Sequence, residues 1–150
     1  MNPVALVYRT MHPLFVGWWF VRRPSIVASA AIIERNDRVL LIRHTYGDRQ
    51  LWHLPGGLVN PGEDVGGAAV REVLEETGMV LHGSQFVATF NLFDNYRSVT
   101  LHIYHGRAVG ALKIDPHEIS EAAWFSIKDL PVIGVGTRLA LQHRLTEKLL

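Results

Sequence analysis

The sequence predicts an α/β protein with one folded domain behind a short extension, and three observations carry that prediction. Two pairs of β-rich runs, Ile26 to Glu34 with Arg38 to His44 and Gln85 to Phe93 with Val99 to Ala108, are each joined by a brief polar turn. Two stretches of helical character, Asp64 to Gly78 and Thr137 to Leu149, follow the first pair and close the chain. A length of 150 residues with 48% hydrophobic content suits a single core.

Composition narrows the partners. A formal charge of +1 argues against bulk attraction to nucleic acid or to a membrane surface, which leaves small molecules as the default. The absence of cysteine excludes disulfides and thiolate metal sites. No run reaches the roughly 18 apolar residues of a membrane span. A cytoplasmic setting is expected, and a homodimer is compatible with these features.

The elements follow in order. Residues 1–24 form an extension whose apolar cluster Leu14 to Val21 contains Trp18, Trp19 and Phe20. It is expected to pack on the domain or on a second subunit; a cleavable leader or a membrane-surface anchor are the alternatives. The domain itself spans residues 25–150. In the first β pair, Asn36-Asp37 reads as the hairpin turn. Along its second run Val39, Leu41 and Arg43 alternate against Leu40, Ile42 and His44, so Arg43 or His44 should emerge at the functional end. The polar loop Tyr46 to Gln50 could close over a ligand. Leu51 to Leu54 reads as a short strand; Trp52 on it is a candidate for stacking a base, with a core position as the alternative.

The chemistry concentrates between Gly57 and Met79. Glu72, Glu75 and Glu76 stand at i, i+3 and i+4 and share one helix face, while Ala69, Val70, Val73 and Leu74 should face the core. Asp64 can cap the start and Gly78 can end the helix in the left-handed conformation. Arg71 alone offsets Glu63, Glu72, Glu75 and Glu76, leaving surplus negative charge that suits a hard divalent cation with oxygen ligands. Ahead of the helix, Pro55-Gly56-Gly57 lets backbone approach a ligand closely and leaves a carbonyl free to face a cation.

Gly57, Glu63, Arg71, Glu72, Val73, Glu75, Glu76, Gly78 and Met79 fill every position of G-x5-E-x7-R-E-U-x-E-E-x-G-U, where U is a bulky aliphatic residue. In this the chain resembles the Nudix hydrolases. The resemblance implies an α/β/α sandwich with a central mixed sheet and hydrolysis of a phosphoanhydride in a nucleoside diphosphate linked to a group X, using Mg²⁺ or Mn²⁺. It implies Glu75 and Glu76 as metal ligands with the Gly56 carbonyl, Glu72 as ligand or general base, Arg71 as the residue that orients it, and Glu63 as a loop acid in the same network. By position His44 resembles a phosphate-contacting residue of that family, a surface histidine being the alternative. Tyr96, 17 residues beyond Met79, matches an offset associated with dinucleoside polyphosphates. Glu118 resembles a glutamate that completes the metal site as ligand or base, with Glu121 as runner-up and a solvated loop acid as the alternative.

After the second β pair, Ala122 to Phe125 should return to the sheet, and Ser126 to Asp129 carries an S-x-x-D helix start. In the closing helix Leu139, Leu141, Leu145 and Leu149 are expected partly inward. The function expected is metal-dependent release of a nucleoside monophosphate from a nucleoside triphosphate or dinucleoside polyphosphate. A nucleotide-binding sensor without catalysis is the alternative.

Overall fold

A computed structural model describes residues 21, 25–94 and 97–149. Apart from Val21 the extension lies outside the described residues, and so does Tyr96. The elements are β1 (Ser25–Arg35), β2 (Arg38–His44), β3 (Gly56–Leu58), α1 (Val65–Thr77), β4 (Val80–Asp94), β5 (Arg97–Val109), β6 (Ile119–Ser126) and α2 (Val135–Leu149). Six strands form a mixed sheet in the order β4-β5-β1-β2-β6, with β3 paired to β1. The β1–β5 pair is parallel and the others are antiparallel.

Strand alternation divides the core into two layers. Ile32 and Leu41 pack with Ile103, Trp52 and, from α2, Ala140 and Leu141. Ala31, Ile33 and Leu40 pack on the opposite face with Val73 of α1, Met79 and Leu81. One helix therefore covers each face, which makes an α/β/α sandwich. Among the described residues no helix is long and apolar enough to cross a membrane.

The sheet opens in its middle, and this opening positions the site. β1 and β2 pair only beside their hairpin, at Glu34↔Val39 and Arg35↔Arg38, where Asn36 and Asp37 take φ of 50° and 58°. Beyond that point the strands diverge and residues 52–58 enter between them. Ile42 and His53 exchange two backbone hydrogen bonds of 2.9 Å, Ala31 N–H donates to the Pro55 carbonyl, and β3 pairs with Ala28 to Ala30. The short strand expected at Leu51 to Leu54 is thus reduced to single bridges at Trp52 and His53, and the true strand is Gly56–Leu58. Pro55, which has no N–H to give, separates the two.

Other boundaries shift for identifiable reasons. β4 and β5 extend beyond the expected runs because bulges between His82 and Gln85 and between Phe86 and Ala88 interrupt the alternation without ending the ladder. Ser126 to Asp129 forms a turn, closed by Asp129 N–H donating to the Ser126 carbonyl at 3.0 Å, rather than a helix start. Pro131 stops a helix there by lacking a donor and by disfavouring helical backbone at Leu130. Leu145 and Leu149 of α2 face outward, since the helix runs past the apolar layer and ends over polar groups.

Those polar groups fasten α2 to the sheet. Glu34 accepts from Lys148 Nζ at 2.8 Å, lies 3.2 Å from His105 Nε2 and 3.9 Å from Arg144 Nε. Burial pushes the Glu34 carboxyl up, but the Lys148 hydrogen bond and the surrounding positive charge outweigh it and hold the group below the usual carboxylate range. Burial, aided by Arg144, pushes the His105 imidazole down. Both groups bind protons less readily folded than unfolded, so their contribution is fully present above their unfolded values of 6.5 and 4.5 and is lost as pH falls through the folded values. Thermal unfolding midpoints should therefore drop on acidification from pH 7 to pH 4, and Lys148→Ala should flatten the lower part of that profile.

Candidate metal and phosphate site

The site is assembled where α1 crosses the inserted glycine loop. Asp64 caps α1 by accepting from Gly67 N–H at 2.7 Å, and Gly78, at φ 69°, ends it with its N–H on the Leu74 carbonyl. The buried stripe of α1 runs Ala69, Val73, Glu76 and Thr77, so Glu76 belongs to the packed side and is only 3% exposed. Leu74, one residue and about 100° beyond Val73, falls outside the stripe and is 48% exposed, contrary to its expected core position.

Glu76 Oε2 accepts from Gly56 N–H at 2.8 Å, and Oε1 stands 3.9 Å from His44 Nδ1. Gly57 runs directly over Glu72: a β-carbon there would lie 2.6 Å from the Glu72 carboxyl carbon. At Gly56 a β-carbon would instead strike the Ser29 carbonyl and Ala30, which are backbone and close neighbours of the sheet. The two glycines have different duties. Gly57→Ala should leave the fold intact, because the end of a glutamate side chain can swing away, and lower turnover about tenfold or more by displacing Glu72; a circular dichroism spectrum beside a rate measurement checks both halves.

Arg71 is the hub of the acid cluster. Its guanidinium donates to Glu63 at 2.7 and 3.0 Å, to Glu72 at 2.7 Å, to Glu75 at 3.2 Å and to the Leu58 carbonyl at 2.9 Å. It joins the loop to the helix. Glu63 also accepts from Asn60 N–H at 2.8 Å, and the Arg71 hydrogen bonds are the chief reason its carboxyl is pulled down to about 2.

The other acids are pushed the opposite way. Burial raises the Glu72 carboxyl despite Arg71, and the charges of Glu75 and Glu118 add to the effect. Burial raises Glu76 well above the ordinary value; the Gly56 hydrogen bond opposes this, while Glu72, Glu118 and Glu75 reinforce it. Glu118 therefore projects its charge onto the same two carboxylates from the segment before β6, where its carbonyl accepts from Thr45 N–H at 2.8 Å. Glu121 is elsewhere, bound to Arg43 at 2.7 Å.

Among the described residues no three acidic or histidine side chains already converge on one point as metal ligands. Glu72 is turned to Arg71 and Glu76 to Gly56. The donors nevertheless fit a hard divalent cation. They are all oxygens, and among the described residues the nearly buried Glu76 has no cation within hydrogen-bond reach; His44, 3.9 Å away, is a histidine that burial pushes down to about 4.

A cleft of about 610 Å³ adjoins the acids, with Gly56 and Gly57 as the shared wall. His44, Tyr46 and His53 line one side; the His44 ring stacks on Tyr46 at 4.9 Å and meets His53 at 5.6 Å. Leu92, Phe93 and Leu101 also line it, with Leu92 and Leu101 close to Gly136 at the start of α2. Leu54 N–H donates to Thr137 Oγ1 at 2.9 Å and locks the loop to that helix.

His44 thus reaches both the cleft and Glu76, whereas Arg43 and Trp52 do not line the cleft. Trp52 is 9% exposed, edge-on to Phe125 at 4.7 Å, and Arg43 lies over its other side at 5.0 Å. The base-stacking reading of Trp52 gives way to its core position. His53 was not singled out in the sequence, although the period of two from buried Trp52 and Leu54 places it on the opposite side of that segment.

A model of the NUDIX domain matches residues 23–145. NAD-capped RNA hydrolase NudC of Pseudomonas entomophila (strain L48) is 32% identical over 117 residues, 78% of this chain and 41% of that protein. The chain thus spans well under half the length of that curated relative. Among solved structures, a MutT NUDIX hydrolase from Burkholderia pseudomallei superposes with a TM-score of 0.76 at 30% identity, covering 79% of this chain and 97% of that one. An ADP-ribose pyrophosphatase from Streptococcus suis gives 0.67 at 27% identity, covering 82% and 91%. With a family match across most of its length and an unbroken G-x5-E-x7-R-E-U-x-E-E-x-G-U run, the chain belongs to the NUDIX family.

Proposed function

We propose that the chain is a metal-dependent pyrophosphohydrolase that cleaves a phosphoanhydride bond in a nucleoside diphosphate linked to X. A nucleoside triphosphate or dinucleoside polyphosphate is the favoured substrate and a nucleoside monophosphate the product. The observation that carries this reading is Glu76, a carboxylate 3% exposed and, among the described residues, without a cationic partner, set behind a glycine wall from a cleft large enough for a nucleotide.

Glu72, Glu75, Glu76 and Glu118, with the Gly56 carbonyl, would hold Mg²⁺ or Mn²⁺, which supplies charge neutralisation on phosphate oxygens and a more acidic water. Glu72 is held by Arg71 through one carboxylate oxygen, and the other accepts no hydrogen bond among the described residues. That oxygen takes the proton from the attacking water, and Glu118 is the second candidate for this role. His44 contacts a phosphate from the cleft side. In-line attack places the departing phosphate along the cleft.

Release of monophosphate, pyrophosphate and phosphate should be measured for nucleoside triphosphates, dinucleoside polyphosphates, nucleotide sugars and ADP-ribose, with Mg²⁺, with Mn²⁺ and with chelator. NAD-capped RNA belongs in the same panel, because the name of the NudC relative includes RNA and the near-neutral charge of this chain argues the other way. Cleavage that requires metal is the expected result. Nucleotide binding with no cleavage of any member would instead make the chain a sensor.

A further inference from the structure

Ser29, in the middle of β1, is 0% exposed, and its Oγ has no hydrogen-bond partner among the described residues. A buried hydroxyl left in this state costs free energy, and folded proteins keep few of them. Packing alone does not call for serine here, since Ala28, Ala30 and Ala31 around it show that alanine suits this part of the strand. Strand register places the hydroxyl beside Glu72. Ala31 and Ile33, two and four residues further along β1, pack in the α1 layer, so Ser29 faces α1 as well. Ser29 pairs with Gly57 across the β1–β3 ladder. Residues paired in this way project to the same face, with β-carbons roughly 5 Å apart. Gly57 has no side chain, and the Glu72 carboxylate fills that place: its Oε1 and Oε2 lie 2.6 and 2.7 Å from where a Gly57 β-carbon would stand. What Ser29 meets across the ladder is therefore the Glu72 carboxylate. On the β5 side its partner His102 is turned to Thr89, with Nδ1 2.9 Å from Thr89 Oγ1. Glu72 Oε1 accepts from Arg71, and Oε2 accepts nothing among the described residues. An unpaired donor and an unpaired acceptor stand side by side.

We propose that Ser29 is a positioning residue for Glu72, its hydroxyl donating to the carboxylate oxygen that Arg71 leaves free once Glu72 turns toward a divalent cation. Ser29 then fixes the carboxylate from the sheet while Arg71 fixes it from the loop. A carboxylate oxygen has two lone pairs, so the same atom can accept from Ser29 and still face the attacking water. The inference rests on the roles given to Glu72 in the function proposed above.

Ser29→Ala should lower kcat about tenfold, the scale of a loosened catalytic group, with KM little changed. Without metal the variant should unfold at the native temperature or above it, because it removes a buried hydroxyl that has no partner. With Mg²⁺ it should gain less stability than the native chain, since the metal-bound arrangement is the one in which the hydroxyl is paired. In a Glu72→Ala background, Ser29→Ala should lower kcat no further, because Ser29 acts through Glu72. Native kcat in Ser29→Ala would overturn the proposal. So would a lower unfolding temperature of the metal-free variant, which would make Ser29 a packing residue, or losses that add in the double variant. If the native chain is stabilised by Mg²⁺ but hydrolyses nothing, the catalytic reading fails, and the gain in stability still decides this one: a smaller gain in Ser29→Ala supports it and an equal gain overturns it.

Discussion

Glu76→Gln should lower turnover by at least about two orders of magnitude and leave the metal-free chain as stable as the native one or more so. The two halves have one cause. Glu76 is 3% exposed, and burial together with the charges of Glu72, Glu118 and Glu75 disfavours its ionised form. At neutral pH the carboxylate is a liability to folding unless a cation joins it. Glutamine keeps an oxygen for the Gly56 N–H, which Glu76 now satisfies at 2.8 Å, and removes the charge. Thermal unfolding with and without Mg²⁺ checks this: the native chain should gain stability from the metal and the variant should gain little. A variant with near-native turnover would remove Glu76 from the metal site.

Arg71→Ala should act on both stability and rate. The side chain bridges Glu63, Glu72, Glu75 and the Leu58 carbonyl, so its removal unties the loop from α1 and leaves several negative groups without their partner. The unfolding midpoint should fall, in contrast to Glu76→Gln. Turnover should fall about a hundredfold, the scale of a misplaced catalytic group, with KM changed far less than kcat because Arg71 acts through Glu72. Arg71→Lys should restore only part of the rate, since an ammonium cannot serve that many acceptors with the planar fork of a guanidinium. Full restoration by lysine would show that charge alone, rather than orientation, is what Arg71 provides.

Much of this was legible in the residues. The E-x-x-E-E spacing, the Asp64 cap, the Gly78 terminus and the Asn36-Asp37 turn are local features, decided within a few residues, and the structure shows each of them. The divergence of β1 from β2 was not legible, because it depends on residues 52–58 entering from outside the hairpin. That insertion explains three differences at once. It reduces the expected strand at Leu51 to Leu54 to bridges, sends Trp52 into the core while leaving His53 at the cleft, and brings Gly56 against Glu76. Helical periodicity located the acids on one side of α1 but could not tell that the packed stripe turns far enough to bury Glu76 and leave Leu74 in solvent. Arg43 and Glu121 show the same limit. Each is plausible alone at the end of a strand, and they are in fact partners of one another.

Glu72 and Glu76 are proposed to form a divalent-cation site beside the cleft. Titration of the chain with Mn²⁺, read by the loss of the free-ion paramagnetic resonance signal, tests it most directly, with the native protein compared with Glu76→Gln and with Glu121→Gln as a distant control. The native chain and the Glu121 variant should both bind, and Glu76→Gln should lose about tenfold or more in affinity. Equal affinity in all three proteins would contradict it.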